Sequence, residues 1–345
     1  MSILEGEAPI ARAPRTGEPV LEIRDLDIIF PTEDGPVHAV RGLDLDLRAG
    51  EVLGVVGESG SGKSVTMLAV LGLLPKQTKV TGSAKYRGEE LIGRKSKVLR
   101  HVRGAKIAMI FQDPLSALNP VQKVGKQITE ALRAHNDDMS EREAHMLAVQ
   151  QLDMVGIPQA GVRVEQYPHE FSGGMRQRAM IAMAICNKPD VLIADEPTTA
   201  LDVTIQAQIL DVLDKIQATT NMAIVFITHD LGVIARVANR VQVMYAGRSA
   251  ELADVDDVFD RSRHPYTRGL MASMPALAGR TGRLLPIVGS PPSMLHPPSG
   301  CAFHPRCPMA RPNCATDLPE LRAVGAPNQQ SACWYAEQLG DRSEP

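Results

Sequence analysis

No stretch of this sequence is apolar over the ~18–20 residues needed to cross a bilayer as a helix, so no membrane-spanning helix is expected. An excess of one charge is lacking too. Lys and Arg number 37, Asp and Glu 40, and the net charge of −3 makes no electrostatic case for nucleic acid or an anionic membrane surface as a direct partner. The N-terminus, MSILEGEAPIARAPRTGEP, has no continuous apolar stretch of the kind a secretory signal carries. Residues 1–19 are expected to form a loose, flexible tail, and the chain to stay in the cytosol, where disulfides are disfavoured. Internal repeats and low-complexity blocks are absent. Cysteine is nearly missing before the last 45 residues, where four of the five lie; the exception is Cys186.

What is present is ordinary globular composition, 44% apolar and 22% charged over 345 residues, enough for one large domain or two smaller ones. VLEIRDLDIIF and VHAVRGLDLDL, separated by TEDG, are predicted strands, and EVLGVVG is a buried strand running into a glycine-rich turn. SVTMLAVLGLL follows with helical length and an apolar face. Residues 113–172 carry amphipathic stretches such as QITEALRAHN and EREAHMLAVQQLDMVG, which predict a helical insertion. RQRAMIAMAICN and IQAQILDVLDKIQATT are predicted helices, VLIADEP and AIVFITHD buried strands, and residues 241–250 an edge hairpin. Alternating strands and helices imply an α/β fold with parallel strands. After about residue 260 the texture changes: PPSMLHPPSG holds four prolines in ten residues, which argues against regular structure there.

GESGSGKS, residues 57–64, fits G-x-x-x-x-G-K-[ST] and lies between a predicted strand and a predicted helix. Gly57, Gly60 and Gly62 let the backbone curl so that its N–H groups, in a loop that also holds Ser59 and Ser61 as ATP-binding candidates, line a phosphate-sized hollow, and the helix adds its positive end. Lys63 would reach the β/γ-phosphates and the Ser64 hydroxyl would ligate Mg²⁺. VLIADEP is an apolar strand ending in two carboxylates. Beside a P-loop, Asp195 is placed to hold Mg²⁺ through water and Glu196 to polarise an attacking water as general base. FSGGMRQR, residues 171–178, sets Ser172, Gly173, Gly174 and Met175 at the start of another helix, a second anion-binding N-terminus. Two phosphate cradles with one lysine-bearing loop suggest that the second serves another subunit's nucleotide.

With these motifs the sequence resembles the ATP-binding subunits of ABC transporters. FSGGM resembles the family signature, with Met175 where Gln is commonest. The resemblance implies that Gln112 in IFQDP senses Mg²⁺ and couples to membrane subunits, and that Asp202 in TALD belongs to the loop crossing the dimer interface. It also implies that His229 in ITHD contacts the γ-phosphate and that Phe30 stacks on adenine. The implied fold is a P-loop core at residues 20–260, comprising a mixed sheet with helices, an antiparallel β subdomain and the inserted helical subdomain. A Cys-rich, loop-rich extension at 261–345 follows. Two such domains would sandwich two ATP molecules head to tail, closing on binding and reopening on hydrolysis.

YPHEFSGG, then HPYTRGLMASMP, IVGSPPS and GCAFHPRCPMA, in this order, look like the oligopeptide/dipeptide branch of importer ATPases, across roughly residues 20–335; Val288 stands where Pro is expected. The implied partners are a second, different ATPase subunit forming a heterodimer, two membrane permeases and an extracytoplasmic solute-binding protein. The implied location is the cytoplasmic face of the membrane. Nickel and some sugars are alternative cargoes of this branch. A soluble ABC ATPase of translation or repair is a less favoured reading, because neither a second ATPase core nor a long coiled coil is present. A catalytically degenerate partner is disfavoured by Lys63, Asp195, Glu196 and His229.

Cys186 lies in a mostly apolar helix and reads as core. Cys301, Cys307, Cys314 and Cys333 form the pattern C-x₅-C-x₆-C-x₁₈-C in a segment expected to have too little regular structure to bury four thiols. Zinc sites commonly bring C-x₂₋₄-C pairs, and none occurs here. Four thiolates are the complement of a [4Fe–4S] cluster, which the resemblance also implies at these positions; zinc, free thiols or an opportunistic disulfide are the alternatives. His296 and His304 are expected nearby or at the surface rather than as ligands.

Overall fold

A computed structural model describes residues 17–199, 201–274 and 286–340. Most of the expected N-terminal tail lies outside them, and the first strand among the described residues starts at Pro19. The strands are β1 (Pro19–Thr32), β2 (Gly35–Arg48), β3 (Val52–Val56), β4 (Lys79–Tyr86), β5 (Glu89–Glu90), β6 (Ile107–Ile110), β7 (Val191–Asp195), β8 (Ala223–Ile227), β9 (Arg240–Tyr245), β10 (Arg248–Asp254), β11 (Arg322–Ala323) and β12 (Gln330–Ser331).

They form two sheets. A four-stranded antiparallel sheet runs β2-β1-β4-β5, and an eight-stranded sheet runs β11-β12-β10-β9-β3-β8-β7-β6. In the larger sheet, β9, β3, β8, β7 and β6 are parallel neighbours. Every residue of β3, β7 and β8 is buried, as expected for short continuous apolar runs covered on both faces.

Alternation along these strands sorts the core into two layers. Val52, Val56, Leu192, Ala194, Ile224 and Phe226 face one layer, shared with the helical insertion. Leu53, Val55, Val191, Ile193, Val225 and Ile227 face the other, shared with the antiparallel sheet and the helix Lys63–Val70. The insertion comprises the helices Pro114–Ala117, Val124–Arg133, Glu141–Met154 and Ala160–Arg163. Ser140 caps the longest of them by accepting the Glu143 N–H.

Two expectations are corrected here. The hairpin β9–β10 is not at the sheet's edge: β12 pairs with β10 and β11 with β12, so the C-terminal extension completes the central sheet. The unpaired side of β10 is thereby covered, as an exposed strand edge requires. The extension also buries more than its prolines suggested. It contains the helix Pro265–Ala272 and 3₁₀ turns at His304–Arg306, Pro312–Ala315 and Ala336–Gln338. Cys314 is buried, and Cys301, Cys307 and Cys333 are half-buried. Turns and a sheet edge satisfy the backbone where long helices are not available.

Candidate functional site

The chain leaves β3 at Val56 and enters the loop 57–64 at the centre of the larger sheet, where the left-handed backbone and the lack of space both demand glycine. A side chain at Gly57 would meet the Met244 carbonyl at 2.2 Å, and one at Gly62 the Ala39 carbonyl at 2.7 Å. Lys63, only 7% exposed, folds back so that its Nζ donates to the carbonyls of Gly57 (2.8 Å) and Glu58 (3.0 Å) and to Ser61 Oγ (3.3 Å). Burial pulls its pKa down, while Glu196, Asp195 and Glu58 oppose that shift. Ser59 and Gly60 are exposed at the loop's tip. Lys63 is thus a buried cation whose hydrogen bonds all fall on its own loop.

Beside it, Ser64 Oγ donates to Asp195 Oδ1 at 2.8 Å, joining the start of the helix to the end of β7. Burial pushes the Asp195 carboxyl up; the Ser64 hydrogen bond counters this, Glu196 adds to it and Lys63 offsets part. Two oxygen ligands, one of them a desolvated carboxylate short of positive charge, suit a hard divalent cation.

Glu196 is the focus of four elements. Its backbone sits in the left-handed region (φ 48°), and its N–H donates to the Ile227 carbonyl at 2.9 Å. Its Oε2 accepts from Gln112 Nε2 (3.1 Å) and Thr199 Oγ1 (2.8 Å), while Oε1 lies 3.2 Å from His229 Nδ1. A left-handed non-glycine residue is uncommon and costs energy; here it fixes the carboxylate at the ends of β7 and β8. Gln112, Glu196 and His229, which lie far apart in sequence, therefore meet. His229 is exposed and Glu196 is largely covered.

The other nucleotide-site candidates lie apart from this group. Ser172 caps the helix Gly173–Ile185 by accepting the Met175 N–H at 3.3 Å, and Gly173 faces open space. Gly174 has no such freedom, since a side chain there would meet Ile205 at 2.8 Å. Asp202 is exposed and caps the helix Val203–Thr220 by accepting the Ile205 N–H at 2.9 Å. Phe30 pairs across from Val37 in the antiparallel sheet and is half-buried against the adjoining core layer. Among the described residues, a link between the helix Gly173–Ile185 and the Glu196 segment is made further along that helix, by Gln177 Nε2 donating to the Pro197 carbonyl at 2.6 Å.

The four C-terminal cysteines line a single cavity with His264, His304 and Trp334. All are free thiols. Burial raises the pKa of Cys301 and Cys307, and that of Cys333 to about 11. Among the described residues, no three His, Cys, Asp or Glu side chains converge tightly enough to hold a metal ion. His304 is half-buried on the cavity, with Nδ1 2.9 Å from the Cys301 carbonyl, and His296 is exposed. Cys186 is buried in the core as expected, and its pKa is pushed up to about 12 by burial.

Four site residues were not apparent from the sequence. Thr199, which orients Glu196, stands three residues beyond it in DEPTT, a spacing that could have marked it. Gln177 lies on the signature helix and reaches Pro197. Tyr266 and Arg306 reach the P-loop from the extension, and nothing local in HPYTR or HPRC signals that.

Comparison with known proteins agrees with this geometry. The family model "ABC transporter" matches residues 40–199, and "Oligopeptide/dipeptide transporter, C-terminal region" matches 250–314. The dipeptide transport ATP-binding protein DppD of Bacillus subtilis is 48% identical over 328 residues, 94% of this chain and 97% of the relative. The oligopeptide transport ATP-binding protein OppD of Salmonella typhimurium is 48% identical over 94% of this chain and 96% of the relative. OppD of Mycobacterium tuberculosis is 49% identical over 94% of this chain, which spans about half (53%) of that longer protein. Among solved structures, the dimeric bacterial ABC transporter cassette MJ0796 superposes with TM-score 0.62 at 25% identity, over 68% of this chain and 98% of that one. The P-loop, the carboxylate-tipped β7, the signature helix and these relatives together establish that the chain belongs to the ABC transporter ATP-binding proteins, in the oligopeptide/dipeptide branch.

Proposed function

We propose that this chain is an ATP-hydrolysing subunit that energises import of oligopeptides or dipeptides through membrane permeases. The observation that carries the hydrolytic part is the convergence of Gln112, Thr199 and His229 on Glu196 beside the Ser64–Asp195 pair. The P-loop N–H groups and Lys63 bind the phosphates, Lys63 turning from its own carbonyls to the β/γ-phosphate oxygens. Glu196 takes a proton from the water attacking the γ-phosphorus. Its Oε2 is held by Gln112 and Thr199, so the carboxylate meets that water in one orientation. Ser64 and Asp195 are the residues that would hold Mg²⁺, which supplies charge neutralisation on the phosphates. Catalysis is then mostly positioning and charge stabilisation.

The exposed signature at Ser172–Met175 and the exposed Asp202 fit a role on a second ATPase subunit's nucleotide, in a heterodimer closed by ATP and reopened by hydrolysis. His229 would sense the γ-phosphate and Phe30 would pack on the adenine. The names of the relatives, together with the C-terminal region match, support peptide cargo, permease partners, a solute-binding protein and a peripheral place at the cytoplasmic membrane face. The described residues contain no helix long and apolar enough to cross a membrane.

A [4Fe–4S] cluster on Cys301, Cys307, Cys314 and Cys333 is our reading because all four line one cavity and four thiolates are the complement of such a cluster, with zinc as the alternative. A [4Fe–4S] cluster held by the four would tie three segments of the extension together.

Purification of the intact membrane complex with its solute-binding protein, followed by identification of the bound solute, tests the reading. Co-purified permeases and bound peptide are expected. Nickel or a sugar would replace the cargo, and ribosomes or repair factors in place of permeases would overturn the transport role.

A further inference from the structure

Glu58, the second residue of the P-loop, is held from outside the loop at both its backbone and its side chain. Its N–H donates to the Tyr266 hydroxyl at 2.8 Å, and its carboxylate takes both prongs of the Arg306 guanidinium, at 2.7 and 2.9 Å. Its carbonyl meanwhile accepts from Lys63 Nζ. Arg306 stands 248 residues further along the chain, on the 3₁₀ turn between Cys301 and Cys307.

The clamp is built rather than incidental. The Arg306 side chain is 6% exposed. It also donates to the Val288 carbonyl (3.1 Å) and the Tyr245 hydroxyl (3.2 Å), and its guanidinium lies 6.0 Å from the Phe303 ring centre. Tyr245, Tyr266 and Phe303 pack on one another with ring centres 4.5–5.4 Å apart, in a chain with few aromatics. The bidentate ion pair is directional, and the rings fix the angle from which it approaches.

We propose that Arg306 and Tyr266 are positioning residues for the nucleotide site, holding the P-loop through Glu58 in the curvature that receives phosphate. The pairing also masks a carboxylate beside the phosphate hollow, which would otherwise repel ATP. This inference rests on the nucleotide-binding reading of the P-loop and adds that the C-terminal extension sets the loop's affinity.

The test uses the full chain, with equilibrium ATP binding and the kcat and KM of hydrolysis measured for Arg306→Ala, Arg306→Lys, Glu58→Gln and the double variant Arg306→Ala/Glu58→Gln. Arg306→Ala is expected to weaken ATP binding by at least about tenfold, the scale of one lost charge-assisted hydrogen bond, with the loss chiefly in KM. Arg306→Lys, which keeps charge but loses the fork, should fall between it and wild type. The double variant should bind ATP better than Arg306→Ala, because the stranded carboxylate is gone. Unfolding midpoints monitor the fold; if Arg306→Ala does not fold, Arg306→Lys and the double variant carry the comparison. Affinity within twofold of wild type across the folded Arg306 variants overturns the clamp, as does a double variant whose losses simply multiply. A wild-type chain that binds no ATP overturns the nucleotide reading itself, an outcome distinct from either.

Discussion

Gln177 donates its buried side-chain amide to the carbonyl of Pro197 at 2.6 Å. Gln177 belongs to the helix that starts at Ser172–Met175, and Pro197 follows Glu196, so one hydrogen bond ties the helix of the proposed partner-facing surface to the residue next to the proposed base. Gln177→Ala strands the Pro197 carbonyl in the core. Its expected cost is about 1–3 kcal/mol of stability, read from denaturant unfolding, together with a lower kcat at nearly unchanged KM for ATP.

Glu196→Gln keeps the shape and the Thr199 contact but removes the proposed base. ATP binding should survive, while steady-state hydrolysis falls by at least the ~10²–10⁴ that a positioned base contributes. Normal turnover in this variant would sink the base assignment.

Asp195→Asn tests the cation site. The variant keeps a partner for the Ser64 hydroxyl but loses the desolvated negative charge whose pKa burial raises. Hydrolysis should then demand far more Mg²⁺, while binding of ATP without Mg²⁺ changes little. An unaltered Mg²⁺ dependence would remove Asp195 from the site.

The sequence was most informative where a local pattern has one physical solution. Short apolar runs such as VLGVV and AIVFI can be buried on both faces only as central strands, and they are β3 and β8. GESGSGKS needs glycine at Gly57 and Gly62 because backbone carbonyls stand where side chains would be. Strands β4 and β6 left no comparable signal: β4 is mostly polar and β6 is four residues long. Contacts between distant segments left none at all. The Arg306–Glu58 pair and the β10–β12 pairing depend on how the extension folds back, which local periodicity does not encode. Proline density read correctly at PPSMLHPPSG, which has no helix or strand, but it gave no sign of the 3₁₀ turns further on that bring the cysteines to one cavity.

Glu251 provides a pH test of the extension. Its carboxyl is buried on β10, accepts the Arg263 N–H at 2.6 Å and Gln329 Nε2 at 2.9 Å, and burial raises its pKa to about 7 despite these bonds. Between the ordinary carboxylate range and about pH 7 the folded chain therefore holds a proton that the unfolded chain has lost. Stability contributed here is full at low pH and declines as pH rises through about 7. Glu251→Gln should remove that decline, so the melting temperature of the variant should rise relative to wild type between the ordinary carboxylate range and about pH 7, and the gap should level off above it. Parallel melting curves from pH 5 to 8 would show that Glu251 is ionised throughout.

The four-thiol cavity makes the last prediction. Cys301, Cys307, Cys314 and Cys333 are free, line one space and, where burial shifts their pKa, are held as protonated thiols. A metal group must therefore displace protons on binding, and its bonds to the thiolates would offset that cost and stabilise the fold. Anaerobically purified protein is expected to contain iron and acid-labile sulfide in about equal amounts, near four of each per chain. Replacing any one of the four by Ser should lower that content and expose the extension to proteolysis. Cys186→Ser serves as the control: Cys186 lies in the core away from the cavity, so its loss should cost stability without touching the iron. Zinc without sulfide would overturn the cluster in favour of a single ion, after the sulfurs draw inward. Metal-free protein whose Ser variants resist proteolysis like wild type would overturn both, leaving four reduced thiols as packing around the turn that carries Arg306.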